Sequence, residues 1–139
     1  MSAGPGTLAI YTDGASRGNP GPAAYAFLFE QEGEILFEAS EYIGETTNNT
    51  AEYRAIIATL GKAAEICRGP VAVYSDSELV IRQITGAYRI NQPHLRELRA
   101  GVAALESRFP GISFRNVPRE NRFIRRCDAL CNATLDRCR

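Results

Sequence analysis

The chain has 139 residues, 16 basic and 16 acidic side chains, a formal net charge of zero and 45% hydrophobic residues. That length suits one compact domain, and the apolar content excludes a disordered chain. The neutral balance excludes binding to nucleic acid by bulk charge alone, and no apolar run approaches the roughly 20 residues that span a bilayer.

Met1 to Gly6 holds neither a basic patch nor an apolar stretch, so it reads as a loose tail rather than a signal peptide. A single domain is expected over residues 7–139, in the cytoplasm by default. Thr7 to Thr12 is rich in β-formers and predicts a first strand. Asp13 to Pro22, with three glycines and two prolines, predicts a long turn. Ala23 to Glu30 predicts a second strand with Tyr25, Phe27 and Phe29 on one face, and Glu32-Gly33 a tight turn. Ile35 to Ile43 predicts a third strand, completing an antiparallel meander.

The period then changes from two to that of a helix. Tyr53, Ile56, Ile57, Leu60, Ala64 and Cys67 predict a helix over 50–67, stopped by Gly69-Pro70. Val71 to Ser75 reads as a short buried strand. Helices follow over 77–85 and 93–109, then a fifth strand over 112–117 and a last helix from about Phe123 to Arg137. The order is β-β-β-α-β-α-α-β-α, an α/β fold with a five-stranded mixed sheet flanked by helices. A helical crossover after the meander sets strand four parallel to strand one by the right-handed rule. A site then belongs at the carboxyl ends of those two strands, where Asp13 and Asp76 fall.

Each acid has an ordinary reading when taken singly. Asp13 can hold a turn, Glu52 can close a capping box Asn49-x-x-Glu52, Asp76 can cap a helix, and Asp128 can be one solvated charge. Taken together, they gather at one sheet end. Clustered carboxylates without nearby Lys or His repel one another, which raises their pKa values, and divalent cations relieve that repulsion. Hard oxygen ligands suit Mg²⁺, with Mn²⁺ as a substitute. Two such ions about 4 Å apart clamp a phosphodiester for in-line attack, one activating water and one steadying the leaving oxygen.

Charge is unevenly spread: residues 1–60 hold two arginines and eight acids, residues 111–139 seven arginines and three acids. That split fits either a dipolar surface or ordinary solvation. Cys127, Cys131 and Cys138 share one helical face by spacing and read as small apolar side chains. His94 is the one histidine and is remote in sequence, which argues against a zinc site. Spacing leaves a disulfide from Cys67 to the last helix open.

The words around the acids are more specific than the acids. Tyr11 to Pro22 (YTDGASRGNPGP), Thr46 to Glu52 (TTNNTAE), Ser75 to Val80 (SDSELV), and Val117 to Asn121 followed by Cys127 to Leu130 resemble, in order, the four signature blocks of type 1 ribonucleases H. The blocks span residues 7–135. The resemblance implies the ribonuclease H-like fold and hydrolysis of the RNA strand of RNA–DNA hybrids, leaving 5′-phosphate and 3′-hydroxyl ends. It implies that Asp13, Glu52, Asp76 and Asp128 hold two Mg²⁺ ions, and that Asn19, Asn48 and Asn49 contact the hybrid. Thr47 would help hold a DNA phosphate. No obligate protein partner is expected, so the chain reads as a monomer.

Three departures stand out. The stretch from Glu120 to Asp128 is longer than in relatives sharing Val117-Pro118-Arg119-Glu120, and Asn121 to Arg126 is expected to absorb the length in a loop. That loop has no histidine, which makes Arg119 the candidate for an auxiliary catalytic part or for a plain backbone contact. The basic, Trp-rich protrusion of some bacterial relatives is missing, since Gly86 to Asn91 leads almost directly to the next helix. This shorter form resembles archaeal and some other bacterial type 1 enzymes. Hybrid affinity would then rest on Arg82, Arg89 and an edge of Arg119, Arg122, Arg125 and Arg126. A non-catalytic hybrid-binding module would need a missing carboxylate, and none is missing. A DNA-directed nuclease of the same broad fold is disfavoured by Asn48-Asn49 and by the Gly18-Asn19-Pro20-Gly21 turn.

Overall fold

A computed structural model describes residues 6–138, so the expectation of a loose tail over Met1 to Gly6 falls almost wholly outside the described residues. The elements follow the predicted order: β1 (Leu8–Ser16), β2 (Gly21–Gln31), β3 (Glu34–Thr46), α1 (Asn48–Ile66), β4 (Val71–Ser75), α2 (Glu78–Ile84), α3 (Pro93–Glu106), β5 (Ile112–Asn116) and α4 (Arg122–Arg137). They build one sheet in the order β3-β2-β1-β4-β5. β1, β2 and β3 pair antiparallel, and β4 runs parallel to both β1 and β5.

Both faces of the sheet are covered. On one face Ile10, Phe27, Phe29, Tyr53, Ile56, Leu60, Val73 and Val102 form the larger core with α1, α2 and α3. On the other, Ala9, Tyr11, Ala26, Leu28, Ala72 and Tyr74 pack with Ile124, Cys127 and Cys131 of α4. β2 is therefore buried along nearly its whole length. Its alternation is one of size rather than polarity, aromatics toward α1 and Ala or Leu toward α4.

Several boundaries differ from the sequence expectation, and four of them have a clear local reason. β1 runs on to Ser16, because its ladder with β2 continues past Asp13 to Ser16↔Ala23. Asp13 thus lies inside β1, just beyond the last parallel pair with β4, Tyr11↔Tyr74. β3 continues past Ile43 through a bulge in its pairing with β2, where Gly44 takes φ +80°. α1 starts earlier than expected, with Thr47 as its N-cap accepting a hydrogen bond from Thr50 N. α3 ends at Glu106 rather than at residue 109, its last turn giving way before Phe109. The β2–β3 hairpin turns on Glu32 and Gly33, both with positive φ, as a two-residue turn requires.

The close contact between β1 and α1 positions everything that follows. A Cβ on Gly14 would lie 2.3 Å from Ala51 C and 2.5 Å from Glu52 N. Only glycine lets the first turns of α1 sit so near the strand, and the clash would be with backbone that cannot swing aside. Gly14→Ala is expected to lower the urea unfolding free energy by about 1–3 kcal/mol, the usual cost of overpacking. Equilibrium urea unfolding followed by far-UV circular dichroism checks it; an unchanged midpoint would show that α1 can shift at no cost.

Candidate active site

Three acids converge at the carboxyl end of the β1–β4 pair. Asp13 lies in β1, Asp76 follows β4 directly, and Glu52 sits in the second turn of α1. One carboxylate oxygen from each lies within 4.8 Å of the others. The Glu52 side chain does not close the expected capping box. Thr47 caps α1 instead, and Glu52 Oε1 accepts the backbone N–H of Gly14 at 2.9 Å. That bond aims the carboxylate at the sheet end rather than back along its own helix.

The electrostatics follow from burial and crowding. Burial pushes the Asp13 carboxyl up to about 8, reinforced by the charges of Asp76 and Asp128 and opposed by Arg119. Glu52 is raised well above the usual carboxylate range by burial, then by Asp13 and Asp76. Asp76 is raised by burial and eased by Arg119. The Arg119 Nε stands 3.8 Å from Asp76 Oδ2 on a side chain that is 88% exposed, so solvent screens most of the attraction.

Asp128 lies at the rim. It lines the same cleft, of about 440 Å³, together with Asp13, Glu52, Asp76, Asn48, Asn49 and Arg119. It is exposed and stands apart from the tight group of three. The expected long loop before it is not formed. Asn121 Oδ1 accepts the N–H groups of Phe123 and Ile124, capping α4 at once, and Arg122 to Arg126 form the first turns of the helix. The extra residues become helix because Asn121 caps well and Ile124 finds a buried place in the core.

α4 is pinned at several points. Cys127 Sγ donates to Tyr11 O at 3.5 Å, and Cys131 Sγ reaches Asp13 O at 3.7 Å. Burial drives both thiols far above the ordinary cysteine range, so they stay protonated donors. Arg126 grips Glu38 of β3 with two bonds, at 2.9 and 2.6 Å. Ser40 and Thr134 share a hydrogen bond of 2.7 Å. Cys138 does not join the buried face: it is the exposed C-cap, past the end of the helical row. All four cysteines are free thiols.

The expected hybrid contacts are grouped beside the acids. Asn19 Oδ1 accepts the backbone N–H of Asn48 at 3.0 Å, and Asn48 Oδ1 accepts the N–H of Ser16 at 2.8 Å. These bonds lock the β1–β2 turn onto the start of α1. Asn49 lines the cleft; its side chain does not cap the helix. Thr47 spends its hydroxyl on the cap. Of the anticipated basic edge, Arg125 lines the cleft, Arg126 is engaged with Glu38, and Arg122 lies over the Phe123 ring. Arg82 is paired with Glu78. His94 is exposed in the first turn of α3, away from the cleft lining. Sequence reasoning passes over Ser77 and Ile124, which also line the cleft, and over Asn132, which touches Asp128. The signal for Asn132 is its spacing of four from Asp128 along α4.

This arrangement matches known proteins closely. The RNase H family model matches residues 5–108. The chain belongs to the RNase H family. It is 44% identical to Ribonuclease HI of Halobacterium salinarum over 132 residues, covering 94% of this chain and 65% of that relative. It thus spans less than two thirds of that relative's length. The crystal structure of RNase H1 from the same archaeon superposes with a TM-score of 0.89 at 42% identity, covering 94% of this chain and 98% of the other. LC11-RNase H1, solved in complex with an RNA/DNA hybrid, superposes with a TM-score of 0.88 at 40% identity, over 95% and 99% of the two chains. Within the family the chain is of type 1 in its compact, archaeal-like form, with only residues 85–92 between α2 and α3. The family-model match stops before β5 and α4, so Asp128 lies outside it.

The raised carboxyl of Asp13 has a consequence for the metal-free chain. Between its ordinary value of 3.8 and about 8, the folded state binds more protons than the unfolded chain. Stability therefore falls as pH rises through that window. In chelator, the thermal midpoint is expected to drop from pH 5 to pH 8, and Asp13→Asn to flatten the slope. At pH 8 that variant should gain on the order of 1 kcal/mol over wild type. A wild-type midpoint that rises with pH would remove the buried, charge-crowded description of Asp13.

Proposed function

We propose that this chain is a metal-dependent endoribonuclease that hydrolyses the RNA strand of RNA–DNA hybrids, giving 5′-phosphate and 3′-hydroxyl ends. The observation that carries the reading is the cluster of Asp13, Glu52 and Asp76, with Asp128 at its rim, beside the Asn19–Asn48–Asn49 turn. Membership of the RNase H family and likeness to LC11-RNase H1 support the substrate class.

The donor set fits Mg²⁺. It consists of carboxylate oxygens, and the cleft lining holds no lysine, histidine or thiol to favour a softer ion. Burial and mutual repulsion make these carboxylates poor neighbours when bare, so a cation stabilises their charged forms. Asp13, Glu52, Asp76 and Asp128 would hold two ions, with Mn²⁺ as a substitute. Bound there, divalent ions supply Lewis-acid charge at the scissile phosphate and lower the pKa of attacking water.

The chain's own residues do the rest. Glu52 is held by Gly14 N–H, so its free oxygen keeps a fixed direction. The Asn48 side-chain oxygen is occupied by Ser16 N–H, which leaves its amide N–H₂ as a donor for a 2′-hydroxyl. Asn19 and Asn49 add a rigid polar edge of the kind that probes a minor groove. Thr47, whose hydroxyl caps the head of α1, would help hold a DNA phosphate there, a contact that positions the duplex without reading sequence. Arg119 cannot serve as a base, but its exposed guanidinium can attract a phosphate and aid its departure. We read the chain as a single-domain monomer of the cytoplasm. Apolar clusters packed on both faces of one sheet support the single domain, and four free thiols suit a reducing compartment.

The test uses one labelled hybrid with single-stranded RNA, duplex RNA and duplex DNA as controls, in Mg²⁺, in Mn²⁺ and in chelator. RNA is expected to be cut only in the hybrid and only with metal. Asp13→Asn should cut kcat by at least about 100-fold, since several kcal/mol of charge stabilisation are lost at about 1.4 kcal/mol per decade. Asp128→Asn, at the exposed rim, should cost on the order of 10-fold. Cleavage of duplex DNA would overturn the substrate, and a fully active Asp13→Asn would overturn the metal site.

A further inference from the structure

We infer that Asn132 is a positioning residue for Asp128, and that Arg17 of the β1–β2 turn sets its orientation. Asp128, Asn132 and Asp136 recur every four residues and so share one row on α4. The Asn132 Nδ2 donates to the Asp128 backbone carbonyl at 3.1 Å and to Asp128 Oδ2 at 3.4 Å. On its other side, Arg17 Nη2 donates to Asn132 Oδ1 and to Asn132 O, both at 3.3 Å. The same nitrogen pairs with Asp136 Oδ1 at 2.8 Å.

The amide can sit only one way round. Arginine has donors and no acceptors, so the Asn132 oxygen must face Arg17. A carboxylate and a carbonyl only accept, so the N–H₂ must face Asp128. Arg17 thus fixes an amide dipole whose positive end holds the Asp128 side chain in one rotamer. The need for such a device is local. Asp13 sits in a strand and Glu52 is bonded to Gly14, whereas Asp128 is exposed on a helix surface and has no other side-chain partner among the described residues. Arg17 also belongs to the turn whose Ser16 and Asn19 hold Asn48. The row therefore couples the proposed hybrid-contacting turn to the fourth carboxylate.

The inference rests on the reading of Asp128 as a metal-site residue, and the test separates the two. Thermal shift of the full chain is followed over a Mg²⁺ titration for wild type, Asn132→Ala, Asp128→Asn and the double variant. Asn132→Ala is expected to raise the Mg²⁺ concentration at half-maximal stabilisation by about 3- to 10-fold, while the metal-free midpoint stays level or rises, since Ala favours the helix. A merely structural role would lower the metal-free midpoint instead. In the Asp128→Asn background, Asn132→Ala should add less than twofold, because the group it positions is gone. Arg17→Ala should move the Mg²⁺ requirement in the same direction as Asn132→Ala. On hybrid cleavage, Asn132→Ala should lower kcat at fixed, subsaturating Mg²⁺ by a similar factor, leave KM for the hybrid unchanged, and recover at high Mg²⁺. A normal Mg²⁺ midpoint in Asn132→Ala, or full additivity with Asp128→Asn, overturns the inference while the function stands. A normal midpoint in Asp128→Asn removes the metal-site reading of Asp128 and this inference with it.

Discussion

The hydrogen bond from Gly14 N–H to Glu52 Oε1 is the constraint on which the site depends. It joins residues 38 apart in sequence and forms only because Gly14 has no side chain to hold α1 off the strand. The same dipeptide, Asp13-Gly14, therefore supplies one carboxylate and the seat of another. Parallel pairing of β4 with β1 then delivers Asp76 to the same place with no further device. Two main-chain facts, a parallel register and a glycine contact, bring three acids within one ion's reach. The arrangement is costly when bare, since burial and repulsion oppose ionisation of Asp13 and Glu52. A bound cation would relieve that cost by stabilising the charged carboxylates.

Asp128 obeys a different logic. Its position depends on how α4 lies across β1, β2 and β3, and that packing is a matter of side chains. Buried Ile124, Cys127 and Cys131 set the depth of the helix, the Arg126–Glu38 and Ser40–Thr134 contacts set its rotation against β3, and Arg17 holds its far end. The two thiols carry more than volume. As protonated donors to Tyr11 O and Asp13 O, they tie α4 to the very strand that bears the first acid. A placement built from many side chains is softer than one built from a register. This accounts for an exposed fourth acid beside two buried ones and the half-buried Asp76.

Much of this was legible in the sequence. Periodicity and turn residues gave every element in order, and the crossover rule gave the parallel pair that sites Asp13 and Asp76. What stayed illegible was contact between distant segments. Asn49-x-x-Glu52 spells a capping box, yet Thr47 caps the helix and Glu52 bonds across the fold, because local pattern cannot see Gly14. The stretch before Asp128 looked like a lengthened loop. Nothing short of packing Ile124 into the core reveals that Asn121 caps early and turns those residues into helix. The arginines of that stretch looked like a basic edge, but Arg126 finds Glu38, 88 residues back. Asn132 was invisible for the same reason: its partner Arg17 lies 115 residues away.

The fate of the arginines bears on how a neutral chain would hold a polyanion. Arg17, Arg82 and Arg126 each face an acid of their own, and Arg119 leans toward Asp76. Of the arginines that line the cleft, Arg125 alone has no ion pair among the described residues, so little is available to release counterions from a duplex by bulk attraction. In the proposed reading, recognition would then come from short-range fit: the locked Asn19–Asn48 turn, the head of α1 at Thr47, and cations held among the acids. Such contacts reward one groove shape and one sugar chemistry. Bulk positive charge would reward any nucleic acid, whereas a cleft lined by four acids and two arginines would have to discriminate by geometry because it has little else with which to bind.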